Sequence, residues 1–387
     1  MIKTKLNINN ITTQQRELGY NQTSIADKLG VSRESVSQWF SGDNFPRARH
    51  LLKLGEILQL TYSDLVNETS DGYEPIFAFS AAHKYRHTEE DKQKVTDIGY
   101  ALEKLIPYLI GDMQNRSFKN TLLSPKNDIE YIEQIVIVLK KKYQIVSHVA
   151  IKDIDKILRD YNAHLVPVLW GSEDNTSNGI HIKLPESGTD WIYINLDSFI
   201  YDFKFWILHE LAHLLSPDFQ PIEESEDFAN NFAAEFLFSI KDAKIFYDEI
   251  VELNIDDVKI RLFDKGMELL ISPYTIYKQV NKYLELNKLQ KYDIPEVVNS
   301  FMNYLPGDHK KTVAEMFIQK VNSSAKEYLT LIETEFDDLF VNALMSYYRN
   351  EKFSIGFIRN IFHISLQDAQ NIFDEIVKRN KTVVSNH

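Results

Sequence analysis

The spacing of apolar residues divides the chain into helical regions on either side of one short β-rich segment. Apolar residues recur at helical spacing in residues 11–66, from about 76 to 145, and from about 202 almost to the end. Three short runs of β-forming residues stand between the last two regions: residues 165–170, 179–185 and 191–196. The pattern predicts an α+β fold that is mostly α, with one small β-sheet.

Turn signals and changes of periodicity suggest four segments. The residues Thr69-Ser70-Asp71-Gly72 place a boundary near residue 70. We predict an all-α domain at 1–70, a helical connector at 71–145, a domain with the small sheet at 146–250, and a helical C-terminal region at 251–387. Within that last region, residues 355–376 favour a plain helical hairpin over a degenerate helix-turn-helix, with Ser365 as the cap of its second helix.

Composition and charge narrow the chemistry. The 387 residues are 44% apolar and include no cysteine, so a metal ion would have to be held by imidazole and carboxylate groups. Residues 1–66 contain four Lys and four Arg against three Asp and three Glu, a net charge of +2. The remainder then carries −15, the difference between the total of −13 and +2. We therefore expect nucleic acid to contact the N-terminal domain.

The sequence shows neither an N-terminal leader with a charged stretch followed by an apolar one nor a long apolar run. A membrane span needs about 18 or more apolar residues in succession. The expectation is a cytoplasmic protein without a membrane partner.

Residues 21–42 show the spacing of two helices that cross steeply. Ala26 supplies a small residue at the crossing, and Gly30 tolerates the left-handed turn that follows. Ser32 is placed to cap the second helix, with Val36 and Trp39 on its core face. The residues expected to face DNA are the outward ones of the second helix and one at the start of the first: Arg33, Glu34, Ser37, Gln38 and Gln22.

This segment resembles the Cro/C1 (XRE) family of helix-turn-helix domains over about residues 11–66. The resemblance implies an operator in double-stranded DNA as the partner. A homodimer is expected, because one small domain makes few phosphate contacts. The alternative is a small helical bundle that binds protein.

The sequence HELAH at 209–213 is the second chemical signal. On a helix, His209 and His213 share one face, so both can reach a single metal ion. Glu210 lies at the edge of that face, where it can act as a general base toward water without being a ligand. The alternative is a pair of histidines buried in an ordinary core helix.

A catalytic zinc ion needs a third protein ligand. Glu226 is preferred, because Ala229 and Ala233 on its face allow close packing against the HELAH helix, and Asn230 can hydrogen-bond Glu226 or a ligand histidine. Competing candidates remain open: Glu223, Glu224 and Glu235.

Residues 150–240, with HELAH followed by E-x-x-A-N-x-F-A-A-E-x-L from Glu226 to Leu237, resemble the ImmA/IrrE metallopeptidase family. The resemblance implies a minimal, gluzincin-like zincin domain, with Zn²⁺ held by His209, His213 and Glu226 and with Glu210 as the base. Phe238-Ser239 stands where the family usually has Met-Pro, and Ala212 where Gly is common. Fusion to an XRE domain is familiar in that family.

The implied function is a transcription regulator whose zinc endopeptidase cleaves a regulatory protein, a partner repressor or itself, in stress response or in control of phage and mobile elements. Residues 179–185, taken as an edge strand, could hold an extended substrate. The possible transition-state donors are Tyr193, His181 and Arg261. The alternatives are a repressor that never cleaves and a toxin–antitoxin or phage-defence component that only binds metal or a protein.

Overall fold

The computed structural model describes most of the chain. The described residues are 3–42, 44–60, 62–69, 76–79, 89–109, 122, 125–146, 148–169, 179–185, 187–217, 222–295, 297, 311–317, 324–336 and 338–385. The expected boundary at Ser70-Asp71-Gly72 and the last residue of the first β-run, Trp170, lie outside them. Within this part of the chain the fold is mostly helical with a small sheet, as the pattern predicted.

The described residues of the N-terminal domain form five helices and an apolar core of their own. Its elements are β1 (Lys3–Leu6), α1 (Ile8–Glu17), α2 (Gln22–Leu29), α3 (Arg33–Ser41), α4 (Ala48–Leu58), α5 (Tyr62–Leu65) and β2 (Val66–Thr69). The prediction of an all-α domain was wrong in one respect. β1 pairs antiparallel with β2, so the two ends of the domain close on each other, and Leu6 and Val66 are buried in its core.

The rest of the chain builds a sheet surrounded by helices. In chain order its elements are β3 (Ile76–Phe79), α6 (Glu89–Glu103), a 3-10 turn (Ile106–Tyr108), α7 (Ile129–Tyr143), α8 (Ile151–Asp160), β4 (Ala163–Val168), β5 (Gly179–Leu184), β6 (Thr189–Asn195), α9 (Ile200–Leu215), α10 (Ile222–Leu237), α11 (Ile240–Ile250), α12 (Ile255–Leu269), α13 (Pro273–Leu286), α14 (Val313–Phe317), α15 (Ala325–Glu335), α16 (Asp338–Glu351), α17 (Ile355–Phe362) and α18 (Leu366–Ser385).

The sheet has the strand order β3-β5-β6-β4. All three predicted β-runs form strands, shifted by one or two residues at their ends. β5 was expected at an edge, and this was wrong: it is antiparallel to β6 on one side and to β3 on the other. Residues 76–79 were assigned from sequence to the helical connector. They form β3 instead, which pairs with β5 on the side away from β6. Every residue of β4 and β6 is buried, so other parts of the protein must pack against both faces of these two strands.

The C-terminal helices provide part of that cover. The Tyr193 hydroxyl of β6 donates to the carbonyl oxygen of Ile361 at 2.7 Å, and the Tyr328 hydroxyl donates to that of Pro167 at 2.6 Å. The end of the chain therefore shares one hydrophobic core with the sheet and α9. Residues 238–297 form a separate core, built on α11, α12 and α13.

The last two helices form the expected pair. Ser365 accepts a hydrogen bond from the backbone N–H of Asp368 at 3.2 Å and so caps the start of α18. α17 is buried through Phe357, Ile358 and Ile361. It also contacts the N-terminal domain, where Arg359 pairs with Glu17 at 2.9 Å. Ser354, just before α17, hydrogen-bonds Asp64 of the same domain.

None of the helices in the described ranges combines the length and the apolar character needed to cross a membrane.

Candidate metal centre and DNA-binding surface

The helix-turn-helix geometry follows from its turn and capping residues. Gly30 ends α2 with a left-handed φ of 70°, a conformation that costs glycine little. The Ser32 hydroxyl then accepts a hydrogen bond from the backbone N–H of Ser35 at 3.1 Å and caps α3. Val36 is fully buried, Ala26 and Trp39 nearly so. The crossing of α2 and α3 is therefore fixed as the sequence predicted.

Four of the five expected DNA-contacting residues are exposed on α3. Arg33, Glu34, Ser37 and Gln38 are exposed along α3, and Gln22 is half-buried at the start of α2. The Gln38 side chain accepts a hydrogen bond from the Asn44 amide at 2.8 Å, which fixes its orientation.

The second site is formed by the helix pair α9 and α10. α9 carries HELAH and is buried along most of its length, which suits its position between the sheet and α10. Ala212 of α9 and Ala229 and Ala233 of α10 are fully buried. These small residues allow the two helix backbones to approach closely, so side chains from both helices can meet at one point.

Three side chains meet there. His209 Nε2 lies 3.1 Å from His213 Nε2. Glu226 reaches them from α10, with Oε2 at 3.4 Å from His209 Nε2 and Oε1 at 3.3 Å from His213 Nε2. The candidate ligand atoms of the three residues all lie within 4.8 Å of one another. The structure thus brings together the residues that the sequence suggested as ligands.

The spacing of these atoms can be compared with that around a zinc-sized ion. A tetrahedral ion bound at about 2.0–2.1 Å holds its ligand atoms about 3.3 Å apart. The three contacts, 3.1, 3.3 and 3.4 Å, lie close to that value. Two imidazoles and one carboxylate also form a donor set that zinc accepts. Because Glu226 contacts each histidine through a different oxygen, the three residues match such an ion in the number and chemical type of their donors.

The other ring nitrogens of both histidines face α10. His209 Nδ1 lies 3.2 Å from Asn230 Oδ1, and His213 Nδ1 lies 3.4 Å from Ser225 Oγ. A histidine whose Nδ1 donates to a fixed oxygen keeps Nε2 free of a proton and able to bind a metal. Asn230 lies where the sequence placed it, beside a histidine of the set.

The local electrostatics favour a cation. Hydrogen bonds with His209 and His213 hold the pKa of Glu226 well below its ordinary value, although partial burial opposes this. Burial alone would lower the pKa of His213, but the hydrogen bond with Glu226 and the charges of Glu210 and Glu226 raise it overall. The carboxylates of Glu226 and Glu210 therefore favour a positive charge on the His213 imidazole.

Glu210 is buried beside this cluster and faces the sheet. One of its carboxylate oxygens lies 3.7 Å from Nδ1 of His181 on β5, and His181 Nε2 lies 2.8 Å from an oxygen of Asp190 on β6. Asp190, His181 and Glu210 therefore form a line from the sheet to the edge of the cluster of His209, His213 and Glu226.

The other glutamates considered as the third ligand lie outside the cluster of His209, His213 and Glu226. Glu235 is buried at the end of α10, where it accepts hydrogen bonds from the Ile240 backbone N–H at 3.1 Å and the Gln279 amide at 3.0 Å. Burial raises the pKa of Glu235 to about 7, although these hydrogen bonds oppose the shift. Glu223 and Glu224 are exposed in the first turn of α10.

Of the three possible transition-state donors, His181 is the one that lies beside Glu210. Tyr193 donates its hydroxyl proton to Ile361, on the C-terminal helices. Arg261 pairs with Glu249 at 3.3 Å, between α12 and α11. Sequence reasoning missed Asp190 and Ser225. A signal existed for Asp190, because it is a charged residue directly before the apolar run of β6.

Comparison with known proteins identifies the N-terminal domain. A family model described as helix-turn-helix matches residues 14–65. The match shows a helix-turn-helix domain and supports a DNA-binding transcription regulator with double-stranded DNA as the partner. No curated protein and no solved structure matches the chain.

Proposed function

We propose that this DNA-binding regulator carries a zinc-dependent endopeptidase, with Zn²⁺ held by His209, His213 and Glu226 and with Glu210 as the general base. The observation that supports it most is the convergence of two histidine Nε2 atoms and the Glu226 carboxylate, with the Glu210 carboxylate buried beside them. A site that only stabilised the fold would have no use for a second, unliganded carboxylate at its edge. The proposed substrate is a regulatory protein, either a partner repressor or the chain itself.

A zinc ion held by His209, His213 and Glu226 would supply Lewis-acid chemistry for the hydrolysis of a peptide bond. Glu210 accepts the proton of the attacking water and transfers it to the leaving amine. Asn230 and Ser225 orient the two imidazoles from α10. His181, held by Asp190, keeps the Glu210 carboxylate directed toward the reacting atoms.

The proposal is tested by comparing protein fragments in cells that express the wild-type chain or Glu210→Gln. New protein N-termini, labelled and identified by mass spectrometry, should appear with the wild-type chain and be absent with the variant. Identical fragment sets would reject the peptidase and leave a regulator that binds without cleaving.

His181→Ala should lower kcat by about 10- to 100-fold, the range found when a residue that orients a reactive group is lost. KM and zinc content should change little, because His181 lies outside the ligand cluster. The measurement is steady-state cleavage of a substrate found in the fragment comparison. Asp190→Asn should give a smaller loss in the same parameter. A rise in KM at constant kcat would place His181 in substrate binding instead.

Arg33→Ala should weaken binding to a specific DNA site by about 1–3 kcal/mol and relax the preference at one base pair, if Arg33 contacts a guanine edge. The site is first selected from a random duplex library, and affinity is then measured by fluorescence anisotropy. Arg261→Ala, which removes the same charge from α12, is the matched control and should bind like the wild type. Equal affinities of Arg33→Ala and wild type for every selected site would count against this surface.

We also propose that the chain binds DNA as a homodimer. The domain has a net charge of +2 and is attached to an acidic remainder, so two copies are needed for enough phosphate contacts. Analytical ultracentrifugation of the complex with the selected site should give two chains per duplex. A stoichiometry of one chain per duplex at saturation would reject the dimer.

A further inference from the structure

A large cleft opens beside the candidate metal centre. Its volume is about 850 Å³, and it lies between α9, the second half of α10, and α13. Two residues that line it also touch His209: the Trp206 ring packs edge to face on the imidazole, with centroids 5.6 Å apart, and Asn230 lies at Nδ1. The cleft and the metal cluster therefore share one wall.

Aromatic side chains form much of the lining. Phe205 and Trp206 stand edge to face on α9, with ring centroids 5.7 Å apart. Opposite them the Tyr277 hydroxyl donates to the carbonyl oxygen of Tyr292 at 2.9 Å, which fixes that part of the lining. This aromatic part of the lining offers a partner apolar contact area, as ligand sites commonly do.

The charge of the cleft differs from that of the chain. Lys278, Lys282 and Lys291 line it, against Asp202 and Glu285, in a protein of net charge −13. Lys291 is paired with Glu285 at 3.3 Å.

Two of these lysines form no ion pair with a carboxylate of the described residues. Lys278 lies over the Tyr274 ring, and Lys282 donates to the Asn231 amide oxygen at 3.0 Å. Within the described part of the chain, neither forms an ion pair with a carboxylate. Burial lowers the pKa of Lys282, although the charges of Glu235 and Glu285 oppose this, so an added carboxylate would stabilise its charged form.

We infer that this cleft is the docking site for a segment of the substrate protein in which acidic residues flank an aromatic or other large apolar side chain. The inference rests on the proposed function, since it takes the partner to be the protein that is cleaved at the adjoining metal centre. The aromatic walls receive the apolar side chain, and Lys278 and Lys282 pair with the flanking carboxylates.

The test measures binding to the full-length Glu210→Gln chain, which should hold peptides without cutting them. The probes are three fluorescent peptides of equal length with the same central Tyr-Leu-Phe, flanked by Glu, Gln or Lys residues. By fluorescence anisotropy the Glu-flanked peptide should bind about tenfold more tightly than the Gln-flanked one, and the Lys-flanked peptide should be weakest, with differences that shrink in high salt.

Charge-reversal variants test whether Lys278 and Lys282 are the residues that select the Glu-flanked peptide. Lys278→Glu/Lys282→Glu, in the same background, should invert the order of the three peptides. Lys152→Glu/Lys156→Glu is the matched control, because it reverses two exposed lysines at the same spacing on α8 and should keep the order. If the first variant does not fold, Lys278→Gln/Lys282→Gln should remove the preference for the Glu-flanked peptide.

Equal binding of the three peptides, or an unchanged order in the variants at 278 and 282, would overturn the docking site. That failure is separate from failure of the peptidase. Selective binding combined with identical fragment sets in cells would keep the cleft as a binding site and reject cleavage. Cleavage without charge selectivity would keep the peptidase and reject the docking site.

Discussion

Glu210→Gln is expected to abolish cleavage while leaving the metal ion bound. The amide has the shape of the carboxylate but cannot accept a proton, so the water loses its base. Loss of a general base lowers kcat by about 10²–10⁴-fold, and the loss here should reach at least that range. Glu210 is not one of the three converging groups, and one of its carboxylate oxygens lies 3.7 Å from Nδ1 of His181 on β5, so the ligand set should remain intact.

The experiment pairs two measurements on the same purified protein: single-turnover cleavage of an identified substrate and zinc content by mass spectrometry. Glu223→Gln, a change of the same kind at an exposed position in the first turn of α10, should retain both activity and zinc. If Glu210→Gln loses zinc to the same extent as a ligand variant, Glu210 is a ligand and the division of roles is wrong.

The parts of this protein that could be predicted from sequence are those fixed by local chemistry. The turn between α2 and α3 depends on one glycine and one capping serine a few residues apart, and the HELAH pair depends on the pitch of a single helix. Such features need no knowledge of distant residues. The strands β4, β5 and β6 were found for the same reason, because each one shows its own run of β-forming residues.

The errors concern pairing between distant segments. Residues 76–79 are too few to show a strand pattern, and only their pairing with β5 makes them part of the sheet. β5 therefore could not be identified as an inner strand from its own sequence. β1 was missed in the same way, since its partner β2 lies at the other end of the domain. The cover that the C-terminal helices give to the sheet also depends on contacts between residues far apart, such as Tyr193 and Ile361.

In the candidate site, some residues could be predicted from local sequence and others depend on packing between distant segments. His209 and His213 follow from helix geometry, whereas Glu226 was one of four possible third ligands until the packing of α10 on α9 placed it beside them. His181 could be named only as one possibility among three, because its position relative to Glu210 depends on how the sheet packs against α9.

Glu226→Ala should remove most of the zinc. It deletes the one carboxylate among the converging groups, and the two remaining histidines are a poor site for zinc, which takes three protein ligands in catalytic centres. The loss of affinity should exceed the cost of about 10- to 100-fold that follows when only an outer partner of a ligand is removed. Zinc content after dialysis against a weak chelator, and competition with a chromophoric chelator, measure the effect.

Glu235→Ala is the control that separates a ligand from a buried structural carboxylate on the same helix. It should keep its zinc and lose stability instead, because the Ile240 backbone N–H loses its acceptor and the Gln279 amide loses one of two, keeping the Phe238 carbonyl oxygen. A buried donor left without a partner costs about 1–3 kcal/mol, which a lower midpoint of urea unfolding would show. Full zinc in Glu226→Ala together with loss of zinc in Glu235→Ala would reverse the assignment. That result would require α10 to present its other end to the histidines, against the 3.3 and 3.4 Å contacts that Glu226 makes with them.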